Sequence, residues 1–345
     1  MPSDFFAIIT TMRILLLGST GLLGRNVLNL LLEESHEVVT LVRNGHGIKE
    51  IANNNLIIVE GSLTDEKCIV KAARGCNAVI NCAGTTDMSL LHYEDYLPMN
   101  AGLCRTLIKI AETTDTKIIV HVSSANTIGY GTANQPGDEQ QPAREPFASS
   151  FYTRSKLEGE KEIEEGAKRL PGCHLVILNP GFMIGAWDSK PSSGQLLLAG
   201  YKKPIMVTPS GGKSFVSVAD VARAAVAALT KGRNGERYLL TGEDMTIYDF
   251  YKRQSTICGY RQLLLRLPQW LTAAAGKVGD ILRSLKIGTQ LSTNNVKQLS
   301  VVEYYSSQKA ADELDYKPTP IDNAIMDFFS WREERKNTKA RIKAF

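Results

Sequence analysis

Arg13-Ile14-Leu15-Leu16-Leu17-Gly18-Ser19-Thr20-Gly21-Leu22-Leu23-Gly24 is the stretch that decides the fold class. The apolar run Arg13 to Leu17 reads as a strand buried on both faces, as in a parallel sheet. It ends in glycine, and a helical pattern follows from Leu22 to Leu32. Gly18, Gly21 and Gly24 have G-x-x-G-x-x-G spacing across this strand-to-helix turn. Glycine there permits a tight turn and lets backbone N–H groups approach a pyrophosphate. The helix N-terminus supplies a positive partial charge for that group. Ser19, Thr20, Leu22 and Leu23 complete the loop, with Ser19 also placed to touch a 2′-phosphate.

Further apolar runs repeat outward from this stretch, at Glu37–Val42, Leu56–Val59, Ala78–Asn81, Ile118–Val122 and Leu175–Leu178. Helical patterns lie between most of them, notably Asp95–Glu112 and Ser150–Lys168. Strands alternating with helices predict an α/β fold, a doubly wound parallel Rossmann sheet. After about Pro180 the rhythm changes, with short strands at Ile205–Val207 and Tyr238–Leu240 and a helix at Val218–Leu229. Leu263–Leu285 is the most apolar later stretch, with charges interleaved, and reads as a core-facing helix over the substrate pocket, a membrane-surface helix being the alternative. The expected division is a dinucleotide-binding domain at 12–180, with some later segments returning to it. A smaller helix-rich substrate lobe at 181–331 and a basic tail at 332–345 follow.

The 345 residues are 43% hydrophobic and 22% charged, which excludes disorder along the whole length. The net charge of +4 is too small to make the surface a nucleic-acid binder. Six basic and two acidic residues from Arg332 onward account for all of it, so the tail is expected to be solvated and partly disordered. The six cysteines show no C-x-x-C spacing, so no metal site is signalled, and their scatter suits a reducing cytoplasm. The apolar core of Met1–Met12 is too short for a signal peptide, and no run of ~20 apolar residues suggests a spanning helix. Membrane association is not expected.

Four residues carry chemistry. Arg43 stands at the end of the second strand, in Val38-Val39-Thr40-Leu41-Val42-Arg43-Asn44, where an acid would bind the ribose hydroxyls of NAD. A guanidinium there suits a 2′-phosphate, which favours NADP(H) over NAD(H); a solvated strand-end arginine is the bland alternative. Tyr152 and Lys156 form Y-x-x-x-K on one helix face, where an ammonium near a phenol would favour the phenolate. Ser124 closes the fifth strand, at the end of the sheet where ligands sit, and can hold a substrate oxygen beside the tyrosine.

Together these motifs resemble the extended and atypical short-chain dehydrogenase/reductase superfamily, the NAD-dependent epimerase/dehydratase family. The likeness continues through Gly61-Ser62-Leu63-Thr64-Asp65, Asn81-Cys82-Ala83-Gly84, Asn179-Pro180-Gly181 and Ser214–Ala222, and is strongest to the dihydroflavonol-reductase-like branch. The resemblance implies that Ser124 orients a carbonyl, Tyr152 is the general acid/base, and Lys156 binds the nicotinamide ribose while tuning Tyr152. It puts Leu63 or Asp65 near adenine, Ala83 and Gly84 near ribose, and Asn179 and Pro180 near nicotinamide. It also implies a homodimer through segments Tyr96–Ala111 and Ser155–Ala167. The sequence departs from nucleotide-sugar epimerases at Arg43 and at Asn81–Gly84, which favours reduction of a ketone or aldehyde, or oxidation of the alcohol. An epimerase/dehydratase and a non-catalytic dinucleotide sensor stand as alternatives. Thr85, Met88, Asn126, Met183, Trp187 and Gln195 are the candidate substrate liners, whose Met and Trp suit an apolar compound. Lys190, Lys202 and Lys203 can meet a diphosphate or simply be solvated.

Overall fold

A computed structural model describes residues 11–43, 48–49, 51–189, 192–285, 287, 289 and 292–343, without the side chains of 269, 272, 273 and 338–343. Most of the N-terminal segment Met1–Met12, Asn44, Lys190 and the last two residues of the tail therefore lie outside the described residues. The first half alternates as the periodicity predicts. In order come β1 (Arg13–Leu17), α1 (Leu22–Glu33), β2 (Glu37–Val42), β3 (Leu56–Glu60), α2 (Glu66–Ala73) and β4 (Ala78–Asn81). Then come α3 (Leu103–Thr113), β5 (Ile118–Val122), α4 (Phe151–Arg169) and β6 (His174–Pro180). The helix expected from Asp95 begins instead as a 3-10 turn at Tyr93–Asp95 and a π-helical turn at Pro98–Gly102, which leads into α3.

The later chain holds β7 (Phe182–Ile184), α5 (Gly194–Gly200), β8 (Ile205–Thr208), β9 (Gly212–Ser217), α6 (Val218–Lys231) and β10 (Arg237–Leu240). It continues through β11 (Glu243–Thr246), α7 (Ile247–Ile257), β12 (Leu263–Arg266), α8 (Gln269–Ser284) and α9 (Thr293–Ser300). It ends in β13 (Val302–Glu303), α10 (Gln308–Leu314) and α11 (Ile321–Lys343). Seven parallel strands form the main sheet, in the order β10-β6-β5-β4-β1-β2-β3. The order reverses between β1 and β4, which opens a crevice at the strands' carboxyl ends. Side chains alternate across the sheet. Ile14 and Leu16 join the core beneath α1 and α6, while Leu15 and Leu17 join the core beneath α2, α3 and α4.

The rest of the chain differs from the reading in three places. The lobe carries more strand than expected, with β7, β9, β11 and β13 in one small sheet and β8 paired with β12 in another. Leu263–Leu285 is not one helix, because Leu263–Arg266 extends to pair in parallel with Ile205–Thr208. The tail is not a loose appendage in its described part, since residues 332–343 continue α11.

Helix α4 seats closely on the π-helical turn. A Cβ at Gly159 would lie 2.1 Å from the Asn100 carbonyl oxygen, a backbone atom that cannot move aside cheaply. Gly159→Val is therefore expected to lower stability by about 1–3 kcal/mol. A shifted urea midpoint would show it, and an unchanged midpoint would contradict this packing.

Candidate functional site

The glycine loop is held by backbone contacts. Gly18 has φ +83°, and a Cβ there would lie 2.7 Å from the Ala83 nitrogen. A Cβ at Gly24 would lie 2.1 Å from the Gly18 oxygen. The loop thus packs onto the end of β4, with Ala83 buried beside it. Gly21 caps α1 without any side-chain hydrogen bond, and Thr20 and Gly21 are exposed. The first-turn N–H groups at Leu22 and Leu23 are therefore left for an anion, and the residues fit a dinucleotide pyrophosphate.

Not every loop residue faces that ligand position. The Ser19 hydroxyl is buried and accepts a 2.6 Å hydrogen bond from Thr40 Oγ1. It ties the loop to β2 instead of reaching outward to a 2′-phosphate. Arg43 follows β2 directly and is exposed. Leu63 packs partly against the core. Asp65 caps α2, its carboxylate accepting from the Cys68 N–H at 3.2 Å.

At the carboxyl ends of β4 and β5 three chemistry-bearing side chains meet. Ser150 caps α4 through the Thr153 N–H, which sets the phase of Tyr152 and Lys156 along the helix. The Ser124 hydroxyl accepts from the Asn126 N–H at 3.2 Å, and the same side chain adjoins the Tyr152 phenol. Burial pushes the phenol above its ordinary value of 10.0, Ser124 pulls it down, and the Glu160 charge pushes it up. The phenol is consequently protonated near neutral pH and is poised as an acid.

Lys156 behaves differently from the spacing argument. Its ammonium does not stabilise a phenolate but donates to the Val122 carbonyl at 3.0 Å. It also adjoins Gly84, where a Cβ would lie 2.8 Å from Nζ. Burial lowers the Lys156 pKa, while Cys104, Glu160 and Cys82 raise it.

A buried polar layer supports these groups, and sequence reading missed most of it. Asn100, in the π-helical turn, accepts from the Thr85 N–H at 2.8 Å and donates to the Thr85 carbonyl and Ser155. Asn179, expected beside a cofactor, is fully buried. Its amide donates to the Ser124 carbonyl (3.1 Å), Thr127 (3.0 Å) and Glu160 (2.7 Å), so it positions the Ser124 turn. Pro180 ends β6 and is buried. His121 occupies an apolar slot of β5, pairs with Asn81 at 3.0 Å, and lies against Cys104. A polar residue breaking an apolar strand was the available signal for His121.

The substrate candidates divide. Thr85 and Met88 share the loop after β4, and Asn126 follows Ser124. Met183 packs on the main core. Trp187 is taken up in packing, with the Arg25 guanidinium 4.4 Å from its ring and Trp331 at 5.9 Å. Gln195 is exposed on α5. Among the described residues, no group of three or more His, Cys, Asp or Glu is placed to hold a metal ion.

Comparison with known proteins gives a consistent likeness. The model of the NAD dependent epimerase/dehydratase family matches residues 14–241. A dihydroflavonol 4-reductase-like protein of Synechocystis is 26% identical over 330 residues, covering 94% of this chain and 95% of its own. Sterol demethylase protein B of Methylococcus capsulatus is 25% identical over 329 residues, covering 94% and 99%. The crystal structure of gox2253 superposes with a TM-score of 0.79 at 28% identity, covering 94% of this chain and 99% of that one.

The buried imidazole gives this site a pH signature. Burial first, and the Lys156 charge second, hold His121 well below its ordinary 6.5. The unfolded chain then binds more protons than the folded one between these two values, so stability is lost as pH falls below 6.5. His121→Asn is expected to flatten the urea-midpoint profile in that window; an equally steep profile would contradict a neutral buried imidazole.

Proposed function

Because the chain belongs to the NAD dependent epimerase/dehydratase family, we propose that it is an NADP(H)-dependent oxidoreductase that reduces a ketone or aldehyde, or oxidises the corresponding alcohol. The observation that carries this reading is Ser124 beside Tyr152, a phenol kept protonated by burial, at the carboxyl end of β5. Ser124 orients the substrate oxygen towards the phenol. Tyr152 delivers the proton that the oxygen needs on reduction, and takes it back on oxidation. In this reading Lys156, beside Gly84, binds the nicotinamide ribose. When bound, the nicotinamide supplies or accepts the hydride. The names of the two relatives support a redox role for the family branch.

NADP(H) is favoured because Arg43 stands exposed where β2 ends and no acid takes its place. The uncapped start of α1 holds the pyrophosphate in this reading.

The test is loss of NADPH absorbance across a panel of apolar ketones and aldehydes. Tyr152→Phe is expected to lower turnover by about 10²–10⁴-fold while leaving NADPH binding intact. Full activity in that variant would overturn the assignment. Separately, Arg43→Ser is expected to weaken NADPH binding about tenfold or more, with little effect on NADH, in a fluorescence titration. Equal effects on both nucleotides would count against the 2′-phosphate contact.

A further inference from the structure

Helix α8 is packed inside out. Among its described side-chain positions the buried ones are Gly276 and Gly279, and a Cβ at Gly276 would lie 2.9 Å from the Thr293 Cα at the start of α9. Leu282 is half-buried, but other large apolar side chains point away: Trp270 is 69% exposed, Val278 55%, Ile281 61% and Leu285 66%. With exposed Ala274 these residues recur at helical spacing, so they form one stripe. A helix facing only water would present its polar residues instead.

The element before it repeats the inversion. In the β8–β12 pair, Met206 and Leu264 face the lobe core. Ile205, Val207, Leu263 and Leu265 fall on the opposite face by period-2 alternation, and all four are exposed. Only Leu267 and Pro268 separate this face from α8. Such a contiguous apolar surface marks an interaction site.

Charge identifies the occupant. Residues 201–208 and 261–285 carry six basic residues (Lys202, Lys203, Arg261, Arg266, Lys277 and Arg283) against one acid, Asp280. Their net +5 exceeds the +4 of the whole chain. The last helix borders this face, since Phe329 stacks on Tyr201 and Glu333 senses Lys202. Arg283 is turned to backbone carbonyls, but Lys202, Lys203, Arg261, Arg266 and Lys277 still outnumber Asp280 and Glu333, so two copies meeting here would set like charge against like, whereas an anionic bilayer complements it. Trp270 suits the boundary between headgroups and acyl chains. Among the described residues no helix is long and apolar enough to cross a membrane, so the contact is with one leaflet.

The structure assigns the β8–β12 face and the outer stripe of α8 as a docking surface for an anionic lipid bilayer. Arg283 ties this surface to the substrate side of the molecule by donating to the Met88 and Leu90 carbonyls, in the loop after β4. The assignment stands whatever reaction the site performs.

The experiment is co-sedimentation of the full chain with phosphatidylcholine vesicles, with and without phosphatidylserine. The chain is expected to pellet with the phosphatidylserine vesicles, and less so as salt is raised. Val278→Asp/Ile281→Asp is expected to abolish pelleting with an unchanged circular dichroism spectrum. Lys202→Gln/Lys203→Gln, which leaves the apolar stripe intact, is expected to weaken partitioning roughly 30-fold. A chain that stays in the supernatant with both vesicles overturns the proposal. So does a chain that light scattering finds dimeric, does not pellet, and becomes monomeric with Ile281→Asp, because the face would then join two copies.

Discussion

The ammonium of Lys156 lies out of water at the carboxyl end of the sheet, 3.0 Å from the Val122 carbonyl. A buried cation is costly unless it is hydrogen-bonded and its neighbours accommodate it. β5 stops at Val122, so that carbonyl can turn to the ammonium. β4 runs on into Ala83–Gly84, where the missing Cβ makes room for it. Three titratable groups beside it are held neutral by burial: Cys82 and Cys104 are pushed up to about 12, and His121 is held low. The parallel pairing of β4 with β5 brings these groups into one layer.

One face of α4 links that layer to the reacting edge. Tyr152, Lys156 and Glu160 recur at four-residue intervals, so they stack along the helix. Glu160 accepts from Thr127 and Asn179, while Thr127 and Asn179 both donate to the Ser124 carbonyl. The Ser124 hydroxyl is thereby anchored through its own backbone to the helix that carries the tyrosine. A hydroxyl held this way keeps its orientation at little entropic cost when substrate arrives.

The sheet was legible because its strands are short apolar runs, most of them closed by glycine, asparagine or serine, and the helices between them keep a 3.6-residue period. The glycine loop was legible for the same local reason. The small sheets of the lobe were not. β9 and β11 mix polar and apolar residues, and β13 is two residues long. They exist as strands because distant segments pair with them. Asn100, Asn179 and Glu160 were illegible as a network, since an isolated amide or carboxylate in sequence looks the same whether solvated or buried.

What the sequence by itself determined is what depends on near neighbours along the chain: the alternation of strands and helices, the uncapped turn at Gly18–Gly24, and the spacing of Tyr152 and Lys156. The tertiary structure decided which way the polar atoms point. It turned Ser19 inward to Thr40, gave Lys156 to Val122 rather than to the phenol, and left the tyrosine protonated. It also put the glycines of α8 inside and its tryptophan outside. Periodicity states that a helix has two faces, but only the shape of the surface it packs against decides which face is buried. Here close approach to α9 admits glycine and no larger side chain.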